Sequence, residues 1–270
     1  MGGSNAVRAR PTPDFDKIHI SRRVQHAVTG LVLIVISYII PPYPIGCLLL
    51  LLATAAFYVI HKKRVHDSKW DDWYIQQFGS LLRTHERGEW EPPQEIEAMQ
   101  NNIIHCKRRR KSIPALPGAF YFLLGAALST FLFPATVART SVTVLSVSDP
   151  IAGLVGSWFT AKGCNVPWNQ LLPRFNAAEG GPSVAGSIGF VVSAILCTYV
   201  YIPSPNSTGS AVLLSFYSRL CIGAIASLTE AAGGRRFPFI GTMVDDNLLI
   251  PLVTGFLICW LDKGSARSRG

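Results

Sequence analysis

The chain has 270 residues, 49% of them hydrophobic and 15% charged, with a mean hydropathy of +0.30. Soluble domains carry about a quarter charged residues, so the composition excludes an ordinary water-soluble fold and predicts an all-α, polytopic membrane helix bundle. The net charge of +9 argues for no nucleic-acid partner, because the basic residues crowd the flanks of apolar stretches, where Lys and Arg mark the cytosolic side.

Polar sequence runs from Met1 to the first apolar stretch, which predicts no cleavable signal peptide. Residues 1–23 form a basic cytosolic N-terminus containing Arg22 and Arg23. Spans are expected at 24–40 and 45–60, joined by a tight turn that Pro41, Pro42 and Pro44 impose. These make a two-span hairpin over 24–60.

Residues 61–115 are a cytosolic amphipathic and basic segment. Trp70, Trp73, Tyr74, Phe78, Leu81 and Leu82 recur at helical spacing, the pattern of an amphipathic helix. Such a face suits either the headgroup layer or the cytosolic end of the bundle. The run Lys107-Arg108-Arg109-Arg110-Lys111 reads as a topology anchor, with anionic lipid as the other use. Five further spans follow at 116–133, 140–159, 186–202, 211–232 and 248–261, a catalytic bundle over 116–262, then a tail at 263–270. Seven spans place the N-terminus and the 62–111 segment in the cytosol. The sequon at Asn206 is then luminal.

Past residue 100 the acidic residues are few: Asp149, Glu179, Glu230, Asp245, Asp246 and Asp262. A carboxylate at membrane depth costs about 2.5–3.5 kcal/mol on insertion scales, so Asp149 and Glu230 are expected to face a polar cavity, a metal or a partner charge. Ser146, Asp149, Gly153 and Gly156 share one helix face. Gly223, Ser227 and Ala231 form a similar stripe beside Glu230, and Gly233-Gly234-Arg235-Arg236 is a basic loop able to contact phosphate. Asp245-Asp246-Asn247 offers adjacent oxygens that suit Mg²⁺, or Ca²⁺ in its place. The same three residues also suit a helix N-cap, and both roles are compatible.

All six histidines lie within the first 105 residues, and the six cysteines are scattered without metal-ligating spacing. Zinc chemistry and a Ser-His-Asp triad are therefore not expected. Neither a G-x-x-x-x-G-K-[ST] nor a G-x-G-x-x-G loop occurs.

From about Ser21 to Leu261 the chain resembles the CTP-dependent diacylglycerol kinases, within the larger group of dolichol and phytol kinases and phosphatidate cytidylyltransferases. Five motifs in order carry the resemblance. They are Arg22-Arg23-Val24-Gln25-His26 with Thr29-Gly30, Gly79 to Glu86, and Ser148-Asp149-Pro150-Ile151-Ala152 with Gly156. Ser183 to Gly189 follows, and then Glu230 with Asp245-Asp246-Asn247-Leu248 and Ile250-Pro251. The chain departs from the pattern at Ser157 and Pro182, where the family has Arg and Lys, leaving Lys162, Arg174, Arg235 and Arg236 as the cations able to compensate.

The resemblance implies transfer of the terminal phosphate of CTP to diacylglycerol or another lipid alcohol, at the cytosolic face of the endoplasmic reticulum or nuclear envelope. Asp149, Glu230 and Asp246 would be catalytic, and Asp245, Asp246 and Asn247 would hold the metal. Arg22, Arg23, Gly156, Gly186, Ser187, Arg235 and Arg236 would bind the nucleotide. The rival readings are a polyprenol or phytol kinase, a phosphatidate cytidylyltransferase and, in another class, a transporter.

Overall fold

The computed structural model describes residues 20–40, 42–82, 84–87, 89–90, 110–112, 114–162, 183–202, 214–232 and 245–267. The first hairpin is α1 (Ile20–Ile39), a π-helical turn at Pro42–Gly46, and α2 (Cys47–His66). Asp67 then caps α3 (Ser68–Phe78), its carboxylate accepting from the Lys69 and Trp70 amides, as Asp at an N-cap should. A 3₁₀ turn at Gly79–Leu81 leads into the short α4 (Thr84–Arg87). β1 (Glu89–Trp90) pairs antiparallel with β2 (Arg110–Ser112), a ladder for which the sequence carries no alternation signal. The remaining described elements are helices: α5 (Gly118–Leu132), α6 (Ala135–Thr143), α7 (Asp149–Ala161), α8 (Val184–Tyr201), α9 (Phe216–Ala232) and α10 (Asp246–Arg267).

α6 and α7 are one continuous rod, joined by a π-helical turn at Val144–Ser148. Pro150 explains that turn, since it has no N–H for the preceding turn and its ring crowds a carbonyl there. A π-bulge relieves the crowding. The rod is the centre of the bundle. Val137, Ala138, Thr140, Ser141, Val144, Leu145, Ser146 and Ser148 are all buried, and α1, α5, α8 and α10 pack around it. Gly30 lets α1 close on the π turn, because a Cβ there would run into the Ser146 side chain.

The described parts of the seven apolar stretches expected from the sequence are mainly helical. By length and composition, three helices can cross a membrane: Pro44–His66, Ala135–Thr160 and Val184–Tyr201, with apolar Gly118–Leu132 shorter. The outer faces fit that reading. Leu48, Leu52, Val59, Val192, Leu196 and Val200 are exposed, a pattern costly in water and natural in lipid. Phe122, Leu145, Phe190 and Ile250 fill the interior between α5, the rod, α8 and α10.

The aromatic stripe on α3 is split. Tyr74 and Leu82 are buried against the bundle, whereas Trp70, Trp73 and Phe78 stay exposed at 38–48%. Packing and outward display therefore both hold, for different residues.

Among the described residues, two cavities reach into the bundle. One of about 270 Å³ is almost wholly apolar and lies between α1, α2, α5 and α6 beside Arg139, whose guanidinium is tied to Ser37 and stacked on Tyr38. The other, of about 190 Å³, lies at the opposite end of α1, near Arg22, His26, Glu86 and Asn247.

Candidate active site

Helix polarity gathers the acidic residues. The N-termini of α1, α5, α8 and α10 and the C-terminus of α9 share one end of the bundle, where Glu230 and Asp246 lie, and Asp149 faces them from the start of α7 on the central rod. Asp245 precedes α10, and its Oδ1 accepts from the Asn247 amide at 3.0 Å and from Asn247 Nδ2 at 2.6 Å. The Asp246 carboxylate also accepts from the Asn247 amide, at 3.0 Å. The capping role is thus present. Asn247 is buried, and its amide group is held by Asp245 close to Gly118 at the start of α5.

Asp149 opens α7 directly after the π turn. His26 Nε2 on α1 lies 3.8 Å from Asp149 Oδ2, with the two side chains 13% and 29% exposed. The His26 ring stands edge-on to Phe122, 4.8 Å between centroids. Arg23, three residues before His26, lies within the electrostatic reach of Asp149 and Glu230. Its guanidinium occupies the space above Gly153, so a Cβ on Gly153 would overlap it. Glu230, near the end of α9, is in turn repelled by both Asp149 and Asp246 and attracted by Arg23. Asp149, Glu230, Asp246 and Arg23 therefore converge, although they come from four helices.

The glycines of the expected nucleotide cradle meet one another. A Cβ on Gly156 would come 2.7 Å from Ser183 Oγ and 3.6 Å from the Gly186 Cα, and one on Gly186 would come 2.8 Å from the Ala152 carbonyl oxygen. Their shared space is taken up by the α7–α8 contact, where Ser183 Oγ caps α8 by accepting from the Gly186 amide at 3.1 Å. Ser187 is buried at the α8–α9 contact, and its carbonyl accepts from Ser227 Oγ at 3.4 Å.

Arg22 and Arg23, expected together on phosphates, point to different places. Arg22 faces the smaller cavity, near Gly118 and Glu86. Glu86 Oε1 accepts from the Gly118 amide at 3.1 Å, which ties the segment after α3 to the start of α5. Arg64, at the end of α2, holds that segment from below. It pairs with Asp71 at 2.9 Å, donates to the Glu86 carbonyl at 3.0 Å, and stacks on Tyr74 at 4.3 Å.

Two features were not read from the sequence. The acidic region does gain a histidine, because α1 folds back and brings His26 to Asp149. The signal was its place in the Arg22-to-His26 motif. Arg64 and Asp71 also form a fully buried pair. Their seven-residue separation across a helix break gives no periodic signal. The expected Arg235 and Arg236, with Lys107, Arg174 and the Asn206 sequon, lie outside the described residues.

Among the described residues no three His, Cys, Asp or Glu side chains form a ready-made metal cage. Glu230 lies near both Asp149 and Asp246; these groups present only oxygen, and Mg²⁺ commonly takes one or two carboxylates and completes its shell with water and substrate phosphates.

The described site thus defines a class: a helical bundle with membrane-length helices and an acidic, arginine-bearing centre at one end. One protein similar to it is the CTP-dependent diacylglycerol kinase 1 of Schizosaccharomyces pombe, 28% identical over 169 residues, covering 59% of this chain and 67% of that protein. An uncharacterised protein of Rickettsia prowazekii is 29% identical over 155 residues, covering 56% and 61%. The chain therefore matches about two thirds or less of the length of these relatives. No protein-family model and no solved structure matches.

Proposed function

We propose that this protein is an integral membrane lipid kinase that moves the terminal phosphate of CTP to diacylglycerol and yields phosphatidate. The observation that carries the reading is the meeting of Asp149, Glu230, Asp246 and Arg23 at one end of the bundle. The likeness to the fission-yeast kinase supplies the nucleotide and the lipid. On this reading the bundle crosses the membrane seven times, in the endoplasmic reticulum or nuclear envelope, with the acidic end toward the cytosol.

Phosphoryl transfer needs positioning and charge stabilisation more than covalent help. The lipid hydroxyl oxygen bonds to the terminal phosphorus, and the bond from that phosphorus to the bridging oxygen breaks. CDP departs with that oxygen, and the hydroxyl proton is lost. Arg23, on its glycine seat at Gly153, offsets negative charge on the transferring phosphate. Asp149 either accepts the hydroxyl proton or helps hold the metal. Asp246, with Asp245 and Asn247 fixing its helix end and Glu230 opposite, would hold Mg²⁺, which supplies charge neutralisation on the nucleotide phosphates. Ser187 and the Gly156–Gly186 contact set the spacing of α7, α8 and α9 beside the nucleotide, and Arg235 and Arg236 add positive charge.

The test uses purified protein in mixed micelles, with γ- or α-labelled CTP or γ-labelled ATP, and diacylglycerol, dolichol, phytol or phosphatidate as acceptor. The expected result is γ-label from CTP in phosphatidate. Label from the α position in the lipid would instead make the protein a cytidylyltransferase. Label in no lipid would overturn the kinase reading in favour of a transporter.

A further inference from the structure

The smaller cavity opens beside the carboxylate centre just described, with His26 and Asn247 on its wall. Arg22, Gln25, His26 and Thr29 line the cavity, and their spacing places them on one stripe of α1. Arg23 and Gly30 lie about a quarter turn further round, where they meet Gly153 and Ser146. His26 falls between the two stripes, facing the cavity and standing 3.8 Å from Asp149. The first helix thus presents a phosphate-facing side and a cavity-facing side that meet at His26.

That second side is amphipathic. Across from its polar stripe stand Phe57 and Ile60 of α2 with Phe78, Leu81 and Leu82. Phe78 is 40% exposed, and neighbouring Tyr58 and Val59 of α2 are exposed as well. The apolar wall is therefore continuous with the outer, lipid-type surface of α2, at the end of a membrane-length helix. A volume of about 190 Å³ is more than ten times the roughly 10–15 Å³ one water needs, and it is too small for a whole two-tailed lipid. It suits the head of such a lipid, with tails left in the bilayer.

We propose that this cavity is the acceptor site, receiving the glycerol end of one diacylglycerol. The chain enters along the α2 surface between Ile60 and Leu81, and the free hydroxyl is turned toward His26 and, beyond it, Asp149. This rests on the kinase reading for the reaction, though not for the binding. Arg22 and Gln25 donate to the ester carbonyls. His26 orients the hydroxyl, so that its oxygen meets the terminal phosphorus on the Arg23 side of α1 as the phosphorus–oxygen bond to CDP breaks. The proton leaves toward Asp149 and then to water.

The experiment is photocrosslinking of the full chain in micelles. The probe is a diacylglycerol carrying a diazirine on the first carbons of one acyl chain, with peptide mapping of the adduct. Adducts are expected on residues 57–60, 78–82 and 117–122. Unlabelled diacylglycerol should compete, and Ile60→Trp, which fills the mouth, should lower them. Leu81→Trp serves as the second variant if the first does not fold, as judged by its Tm. In turnover, Ile60→Trp should raise KM for diacylglycerol at least about tenfold, the scale of losing one apolar side chain's contacts, and leave KM for CTP unchanged. His26→Asn should lower kcat more than it raises KM for diacylglycerol. Adducts in the apolar cavity beside Arg139, or spread over the outer faces of the helices, would overturn the proposal. So would a photoreactive CTP labelling residues 57–60 in place of the lipid. Specific adducts without any phosphoryl transfer would keep the binding site and remove the kinase reading.

Discussion

Arg64 on α2 and Asp71 on α3 form a 2.9 Å ion pair in which neither side chain is exposed, and the whole segment after α3 is hung from it. Arg64 also donates to the Glu86 carbonyl, and the Glu86 carboxylate accepts from the amide that starts α5. Removing one partner leaves a buried charge uncompensated, a loss of about 3–5 kcal/mol. Asp71→Ala should therefore lower Tm sharply. Arg64→Met combined with Asp71→Leu should recover much of that loss, because two apolar side chains need no compensation. Activity should not recover with it, since the Glu86 carbonyl has lost its donor. Thermal unfolding of the single and double variants in detergent gives the coupling. A double variant as unstable as the single ones would show that the pair is not the joint.

Tyr74 packs over Arg64 from the other side, and burial raises its phenol above the ordinary range, against the opposing pull of Arg64. The neutral phenol is thus the form the folded chain prefers. A raised folded value gives a stabilising contribution that is complete below the unfolded value, near 10. It is lost as the pH rises through the folded value. The Tm of the wild type should fall more steeply between about pH 9 and 11 than that of Tyr74→Phe, which keeps the ring and cannot ionise. Parallel curves for the two proteins would remove Tyr74 from the alkaline loss.

Arg23 is seated on Gly153, and a Cβ there would overlap its guanidinium. Gly153→Ala should consequently separate stability from function. A helix interior gains up to about 1 kcal/mol when Gly becomes Ala, and the long Arg23 side chain can swing aside at little cost. Tm should hold or rise. KM for CTP should rise, because the displaced guanidinium no longer faces the phosphate beside Asp149. An unchanged KM would mean that Arg23 contacts no phosphate.

These contacts show what the sequence could carry. Composition and apolar runs marked the helices, because each run reports its own burial. The carboxylates stood out because they are scarce in an apolar chain. A proline such as Pro150 marks a place where a helix can loosen, though not that it widens into a π turn. Partners brought from distant helices were not legible. His26 beside Asp149, Arg22 turned away from Arg23, and the Gly156–Gly186 contact depend on how α1 and α8 lean on the central rod. No local periodicity encodes that lean. The number of spans is also weakly encoded. α9 has 17 residues, and α1 carries its arginines within its first turn, so length and hydropathy select only three helices outright.

Asp149 and Asp246 both repel Glu230, yet their settings differ, and that difference separates metal binding from proton transfer. Asp246 begins α10, and its carboxylate accepts from the Asn247 amide. Asp149 has a histidine beside it. A metal ligand changed to an amide weakens the site for the cation, and excess cation can offset the loss. Asp246→Asn should shift the Mg²⁺ concentration for half-maximal rate upward and approach wild-type turnover at high Mg²⁺. Chelation should stop the wild type, and added Mg²⁺ should restore it. A lost general base has no such remedy, because asparagine cannot take the proton. Asp149→Asn should lose about 10²–10⁴-fold in kcat at every Mg²⁺ concentration, with unchanged membrane insertion and Tm. Rescue of Asp149→Asn by Mg²⁺ would move it into the metal site, and near-normal turnover without rescue would take it out of the mechanism.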